Sequence, residues 1–304
     1  MSIKRLPDYK IKPYQLVDYT KMGNVTRIRY MLRRNNLCTI QRIDKDSYVY
    51  LPTGELREVK HISNRACDLK SVSRSLERLR ELLNTNVVDV RKCRWVTLTY
   101  AENMTDSTRL YKDYERFWKR FKYWCHKNSY GKPEYIIACE PQGRGAWHIH
   151  AVFIFESRAP YIENSVLRDL WGQGFVKIKR LDDVDNVGAY LTAYLGDMSL
   201  EDYKADNPNS HWCGDVKELE VEQDGKTIKK KYLKGARLFM YPPKFNLFRY
   251  SRGIHKPITE VMTYKKAKEK ASGATLTFSS AVQFSSDEFE NTIATEFYNT
   301  ARKH

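Results

Sequence analysis

The chain has 304 residues, 53 Lys and Arg against 37 Asp and Glu, and a formal net charge of +16. Apolar residues at 41% exclude a disordered chain, and no apolar run approaches the roughly 18 residues of a membrane span. The cationic surplus, with 21 Tyr, predicts a polyanionic partner, single-stranded nucleic acid foremost; a basic surface that merely keeps a protein soluble is the plainer alternative.

The start, Met-Ser-Ile-Lys-Arg-Leu-Pro-Asp, does not read as a signal peptide. The six cysteines (38, 67, 93, 125, 139, 213) form no C-x-x-C pair. Several sit in apolar runs as expected buried thiols, so a reducing cytoplasm is the expected compartment. Residues 25–60 read as short strands with turns, Cys38–Arg42 and Tyr48–Leu51 among them. Over 70–84 the period changes to helical, with Val72, Leu76, Leu79 and Leu83 on one face.

Arg94–Tyr100 is β-branched and aromatic and reads as a strand. Ser107 or Thr108 is the expected cap of a helix whose stripe of Leu110, Tyr114, Phe117, Phe121 and Trp124 belongs in a core. Strands are expected at Glu134–Glu140 and Trp147–Phe155, joined by a Gly-containing loop. A helix near 163–171, a strand near 174–179 and a helix near 184–197 follow. The order β, α, β, β, α, β, α predicts an α+β fold, with a central antiparallel sheet and helices packed on one face in a ferredoxin-like arrangement. Farther on, 217–222 and 227–232 flank Asp224-Gly225, a strong hairpin signal. From Lys226 to Lys256 there are ten Lys or Arg and no Asp or Glu, interleaved with aromatics, as expected of a DNA-contacting extension or of a solvated basic rim. The expected division is an accessory region 1–90, a core 91–200, a basic-aromatic extension 201–264 and a polar, partly helical tail 265–304.

The informative stretch is Trp147-His-Ile-His-Ala-Val-Phe-Ile-Phe155. Alternation on a strand puts His148 and His150 on one face, about 6.5 Å apart along it. Both faces are apolar farther along, so the strand is expected to be central, and two imidazoles there need partners. Hydrogen bonding near a strand end is one solution. A metal is the other: with Glu140 opposite His148 and Ala138 opposite His150, the carboxylate shares the histidines' face. Two imidazoles and a carboxylate leave coordination positions open for substrate, and with phosphate present they suit Mg²⁺ or Mn²⁺. In Val187–Asp197, Tyr190 and Tyr194 lie four apart on one helical face, as a core pair or as nucleophiles beside a metal.

Thr97-Leu-Thr-Tyr100, then Glu140 with His148-Ile-His150, then Tyr190-x-x-x-Tyr194 resemble, in order, the three motifs of HUH endonucleases, and most of all the rolling-circle replication initiators of bacterial plasmids and phages. Leu83-Asn-Thr-Asn86, Asn103-Met-Thr-Asp106 and Tyr250-Ser-Arg-Gly-Ile254 followed by Pro257 resemble their flanks. The resemblance implies a ferredoxin-like or RRM-like core in which His148, His150 and Glu140 hold the divalent ion. It implies attack by Tyr190 or Tyr194 on a single-stranded origin, usually a hairpin, leaving a 5′-phosphotyrosine and a free 3′-OH. Such proteins often carry a lysine three residues after a catalytic tyrosine; here Ala193 and Asp197 stand there. Lys177, Lys179 or Arg180 is then the expected source of that cation, and Arg144, Lys229, Lys230, Lys231, Arg249 and Arg252 are further expected DNA contacts. A conjugative relaxase or a transposase would use the same chemistry. Relaxases usually place the tyrosine ahead of the histidines, single-tyrosine transposases are generally shorter, and a non-catalytic DNA-binding module is the other alternative. With no G-x-x-x-x-G-K-[ST] there is no P-loop ATP site, so a host helicase and DNA polymerase are the expected partners, and no membrane.

Overall fold

Leu98, Ile149 and Phe153 are fully buried because every second residue of their strands faces a helix. The computed structural model describes residues 2–34, 38–61, 65–181, 186–192, 195–206, 215–223, 226–286 and 289–302. Two compact units contain them: 64–256, and 1–63 together with 257–304.

In the 64–256 unit a five-stranded antiparallel sheet runs in the order Val176–Lys179, Cys93–Thr99, Trp147–Ile154, Glu134–Pro141, Phe248–Tyr250. The histidine strand is central, as its two apolar faces require. One face packs on helix Ser107–Lys127 and helix Asn164–Trp171. Phe117, Phe121 and Trp171 are completely buried there, and Phe121 stacks on Phe153 with ring centroids 4.6 Å apart. Asp106 caps the long helix, accepting from the Thr108 and Arg109 amides. This corrects the expected cap at Ser107 or Thr108: a carboxylate one residue upstream competes better for the free amides than a hydroxyl already inside the first turn.

The one-face packing expected from the sequence holds for these two helices, and the other face has helices of its own. Leu79, Leu82 and Leu83 of helix Leu69–Asn86 and Val187 of helix Val187–Thr192 bury Ile136, Ala138, Val152 and Cys93. Helix Leu69–Asn86 therefore belongs to the core unit, not to a separate accessory region as its position before residue 90 suggested. The 216–223 and 226–233 strands pair around Asp224-Gly225 as the hairpin signal predicts, with Met198–Ser199 added at the edge.

The other unit is built from both chain ends. Its six-stranded antiparallel sheet runs in the order Ser2–Arg5, Thr275–Ser286, Phe289–Asn299, Val25–Met31, Leu16–Met22, Ile258–Thr263. Val17, Ile28 and Tyr30 pack with Ala267 of helix Tyr264–Lys270. Three short strands, Ile40–Arg42, Ser47–Tyr50 and Glu55–Glu58, form a second sheet. Breaks at 90, 200 and 264 cut across these units. The polar, partly helical tail expected from 265 onward is corrected: only 264–270 is helical and the remainder is mainly two long strands. Their partners, such as Val25–Met31 against Phe289–Asn299, lie more than 250 residues away, and local composition carries no sign of them.

Phe117→Ala would leave a large cavity between the sheet and helix Ser107–Lys127. The expected cost is about 3–5 kcal/mol, read as a shifted urea midpoint with unchanged slope.

Candidate active site

Glu140 pairs with His148, and Ala138 with His150; on the other side Thr99 pairs with His148 and Thr97 with His150. Paired residues share a face, so Glu140, both histidines and both threonines stand together. The diagonal contact forms: His150 Nε2 lies 3.2 Å from Glu140 Oε2. Thr97 Oγ1 lies 3.3 Å from His150 Nδ1, fixing the ring from its other side. Gly145, at φ +85°, lets residues 142–146 turn back tightly into the histidine strand, with the Gln142 amide donating to the Ala146 carbonyl at 2.7 Å.

Glu140 is only 6% exposed. Its Oε1 pairs with Arg237 Nη1 at 3.0 Å and accepts from the Gly196 amide at 3.1 Å. Burial pushes this carboxyl upward, but the His150 contact, the Arg237 charge and the Gly196 amide outweigh it and hold it below the usual carboxylate range. Burial, reinforced by His150, brings His148 down to about 4, so its imidazole is neutral at pH 7. Its Nε2 is buried without a hydrogen-bond partner.

These residues suit a divalent ion. A neutral imidazole, an unpartnered buried nitrogen and an ionised carboxylate are the donor states a metal requires. A 3.2 Å nitrogen–oxygen span between His150 and Glu140 matches neighbouring ligands with bonds of about 2.1 Å. Among the described residues no three His, Cys, Asp or Glu side chains are already gathered into a closed cage. His148 and His150 have ring centroids 6.2 Å apart, so joint ligation needs rotation of the His148 ring.

Tyr190 is positioned by helix–helix contact. Asn186 caps its short helix, accepting from the Ala189 amide at 2.9 Å. The Gly188 amide donates to Asn84 Oδ1 at 2.8 Å, and Arg80 Nε donates to Thr192 Oγ1 at 3.3 Å. A Cβ on Gly188 would lie 2.5 Å from the Arg80 carbonyl oxygen, so only glycine permits this approach. The Tyr190 ring then meets the Trp95 ring edge-on at 5.6 Å, and Trp95 lies 6.3 Å from the His150 ring. Tyr190 is 42% exposed, open to a substrate where a core tyrosine would be closed. Tyr194 lies outside the described residues.

Lys177 pairs with Thr97 and Lys179 with Trp95, so both lysines share the histidines' face. Lys179 Nζ sits 5.3 Å above the Trp95 ring. Arg180 follows at the exposed strand end. Arg144 is exposed in the loop before His148 and bonded to Gln142. Arg249 lies elsewhere: it pairs with Ile137 on the opposite face, 3.4 Å over the Tyr111 ring. Arg252 follows Tyr250 beside Gly253, whose amide donates to Glu134 at the other end of the strand carrying Glu140. On the hairpin Lys229 pairs in register with Glu220, Lys231 with Glu218 and Lys230 with Leu219, and Lys231 Nζ lies 3.5 Å from Glu218. The acidic strand thus faces the basic one, an offset that the run after Lys226 hides.

Some contributors were not legible in advance. Arg237 sits 97 positions from Glu140 among nine other basic residues of its run, with nothing to single it out. Trp95 was read only as a strand former. Gly188 and Asn84 carry their role in a helix–helix approach, although Asn84 stands within the quoted Leu83–Asn86 stretch.

Gly188→Ala separates propensity from packing. Alanine would stabilise an isolated helix, whereas here the expected result is a loss of about 1–3 kcal/mol in chemical denaturation. His148 sets a pH dependence. Its folded-state value of about 4 is below an unfolded value near 6.5, so its contribution is full above pH 6.5 and lost as pH falls toward 4. Urea unfolding of His148→Gln should show a shallower decline over that window than the parent chain.

Residues 93–199 match the model of a family described as replication-associated protein, of the ORF2 type. No curated protein and no solved structure matches the chain. None of the helices among the described residues is long and apolar enough to cross a membrane. The matched segment contains Glu140, both histidines and Tyr190, and thereby relates this third of the chain to proteins of DNA replication.

Proposed function

We propose that this protein initiates rolling-circle replication by nicking and rejoining single-stranded origin DNA through a tyrosine. The observation that carries the reading is the position of His150. Glu140 lies 3.2 Å from one side of its ring, and Trp95, on which Tyr190 stands, lies against the other. Metal ligands and nucleophile thus share one small polar area of a sheet that is otherwise core.

His148, His150 and Glu140 would hold a Mg²⁺ or Mn²⁺ ion, which when bound withdraws charge from the scissile phosphate. The remainder is done by protein groups. Arg237 and the Gly196 amide occupy Glu140 Oε1, leaving Oε2 directed at the histidines. Thr97 holds the His150 ring. The Tyr190 oxygen attacks phosphorus, its proton passing to solvent; the bond from phosphorus to the 3′ oxygen breaks, freeing a 3′-OH. A 5′-phosphotyrosine remains, so the same 3′-OH can attack it and restore both the strand and the phenol. Lys177 and Lys179 place positive charge beside the site, where the family's usual lysine after the tyrosine is absent. Tyr194 would take the second transfer. The free 3′-OH would prime a host polymerase, with a host helicase opening the duplex.

Incubation with single-stranded oligonucleotides carrying hairpins from DNA beside the gene, with Mn²⁺, should yield an SDS-stable protein–DNA adduct, and EDTA should abolish it. His148→Ala should lower adduct formation roughly 100-fold or more. Tyr190→Phe should remove the first adduct while Tyr194→Phe retains it. An adduct that survives the double Phe variant would overturn the tyrosine mechanism, and none from any oligonucleotide would leave a DNA-binding module.

A further inference from the structure

Edge strand Val176–Lys179 presents a row of side chains that neither the core nor the metal site uses. Val176 and Ile178 turn inward and pack against the main hydrophobic cluster. Alternation therefore sends Lys177 and Lys179 to the other face. Phe175 continues the row: its carbonyl accepts from the Thr99 amide at 2.9 Å, extending the pairing by one residue. Phe175, Lys177 and Lys179 thus follow one another at steps of about 6.5 Å. They stand level with Thr99, Thr97 and Trp95, and through these with His148, His150 and Val152.

Phe175 is 68% exposed. A single exposed aromatic means little. This one has its backbone fixed by a ladder bond, points to the face that bears the histidines, and is followed on that face by two exposed lysines. Lys179 is held over Trp95, the ring on which Tyr190 stands. One flat aromatic surface and two cations, evenly spaced along a rigid edge, complement a chain of alternating bases and phosphates.

We infer that Phe175, Lys177 and Lys179 form a single-stranded DNA track along the edge of the sheet. Phe175 stacks an unpaired base beside the His148 end, and the lysines bind successive phosphates leading toward Tyr190. The inference rests on the nicking reading only for the site at the end of the track; binding itself needs neither metal nor chemistry.

The test is fluorescence anisotropy of the full-length protein with labelled oligo(dT) and with an abasic oligonucleotide of equal length, both in EDTA so that no strand is cut. Phe175→Ala should weaken oligo(dT) binding roughly 5- to 100-fold, the loss of one stacked base, and change abasic binding less than about twofold. Lys177→Gln with Lys179→Gln should weaken both ligands alike and lower the slope of log affinity against log salt by about 1.4. Tyr123→Ala, which removes an equally exposed aromatic from helix Ser107–Lys127, should leave both unchanged. Unchanged melting temperatures would show that each variant is folded. Oligo(dT) affinity unaltered by Phe175→Ala, or lowered equally by Tyr123→Ala, would overturn the track. The two readings fail separately: a base-dependent Phe175 effect without any Mn²⁺ adduct keeps the track and removes the nicking, while an adduct with an inert Phe175 does the reverse.

Discussion

The antiparallel register between Glu134–Pro141 and Trp147–Ile154 is the constraint on which the site depends. A slip of one residue would turn Glu140 to the apolar core, where a carboxylate has no partner, and would leave His150 without its 3.2 Å contact. The same slip would bring Cys139 or Pro141 opposite the wrong neighbours and expose Ile137. The hydrophobic residues of the two strands therefore hold the polar ones in place. Their burial resists the slip, and the three polar side chains remain at the end of the sheet where the chain leaves the core.

A second constraint follows from burying a carboxylate at that end. Glu140 stays ionised because Arg237 and the Gly196 amide meet one oxygen while His150 meets the other. Segments outside the strand pair thereby become part of the site. The Arg237 amide in turn donates to the Gly196 carbonyl at 2.9 Å, and the Gly235 amide donates to Asp197 at 2.7 Å, so the chain after Tyr190 and the basic extension are tied to each other and to Glu140. The extension is thus partly structural: Arg237 stabilises a buried acid and Arg249 covers Tyr111, although composition alone presents them as interchangeable cations.

Much of this was readable from residue order. The paired strands, their register, the shared face of Glu140, His148 and His150, the aromatic stripe of helix Ser107–Lys127 and the hairpin at Asp224-Gly225 all depend on periods of two or 3.6 residues and on a short connection. Each is a local property, so each survives without knowledge of the remaining chain. The cap at Asp106 was misplaced by one residue because Ser107, Thr108 and Asp106 are all good caps and only the chain path chooses among them.

The amino-acid sequence by itself determined the α+β core, the central histidine strand, the ligand face and the order of metal-binding and tyrosine motifs. Tertiary structure alone decided which helix covers the histidine face, which of many cations reaches Glu140, how closely Gly188 lets the tyrosine helix approach, and that the two chain ends close into one six-stranded sheet. The physical reason is range. Alternation and helical spacing are written by neighbours along the chain, whereas a salt bridge 97 residues long or a strand pair more than 250 residues apart is selected by how whole faces pack, and no window of sequence contains both partners.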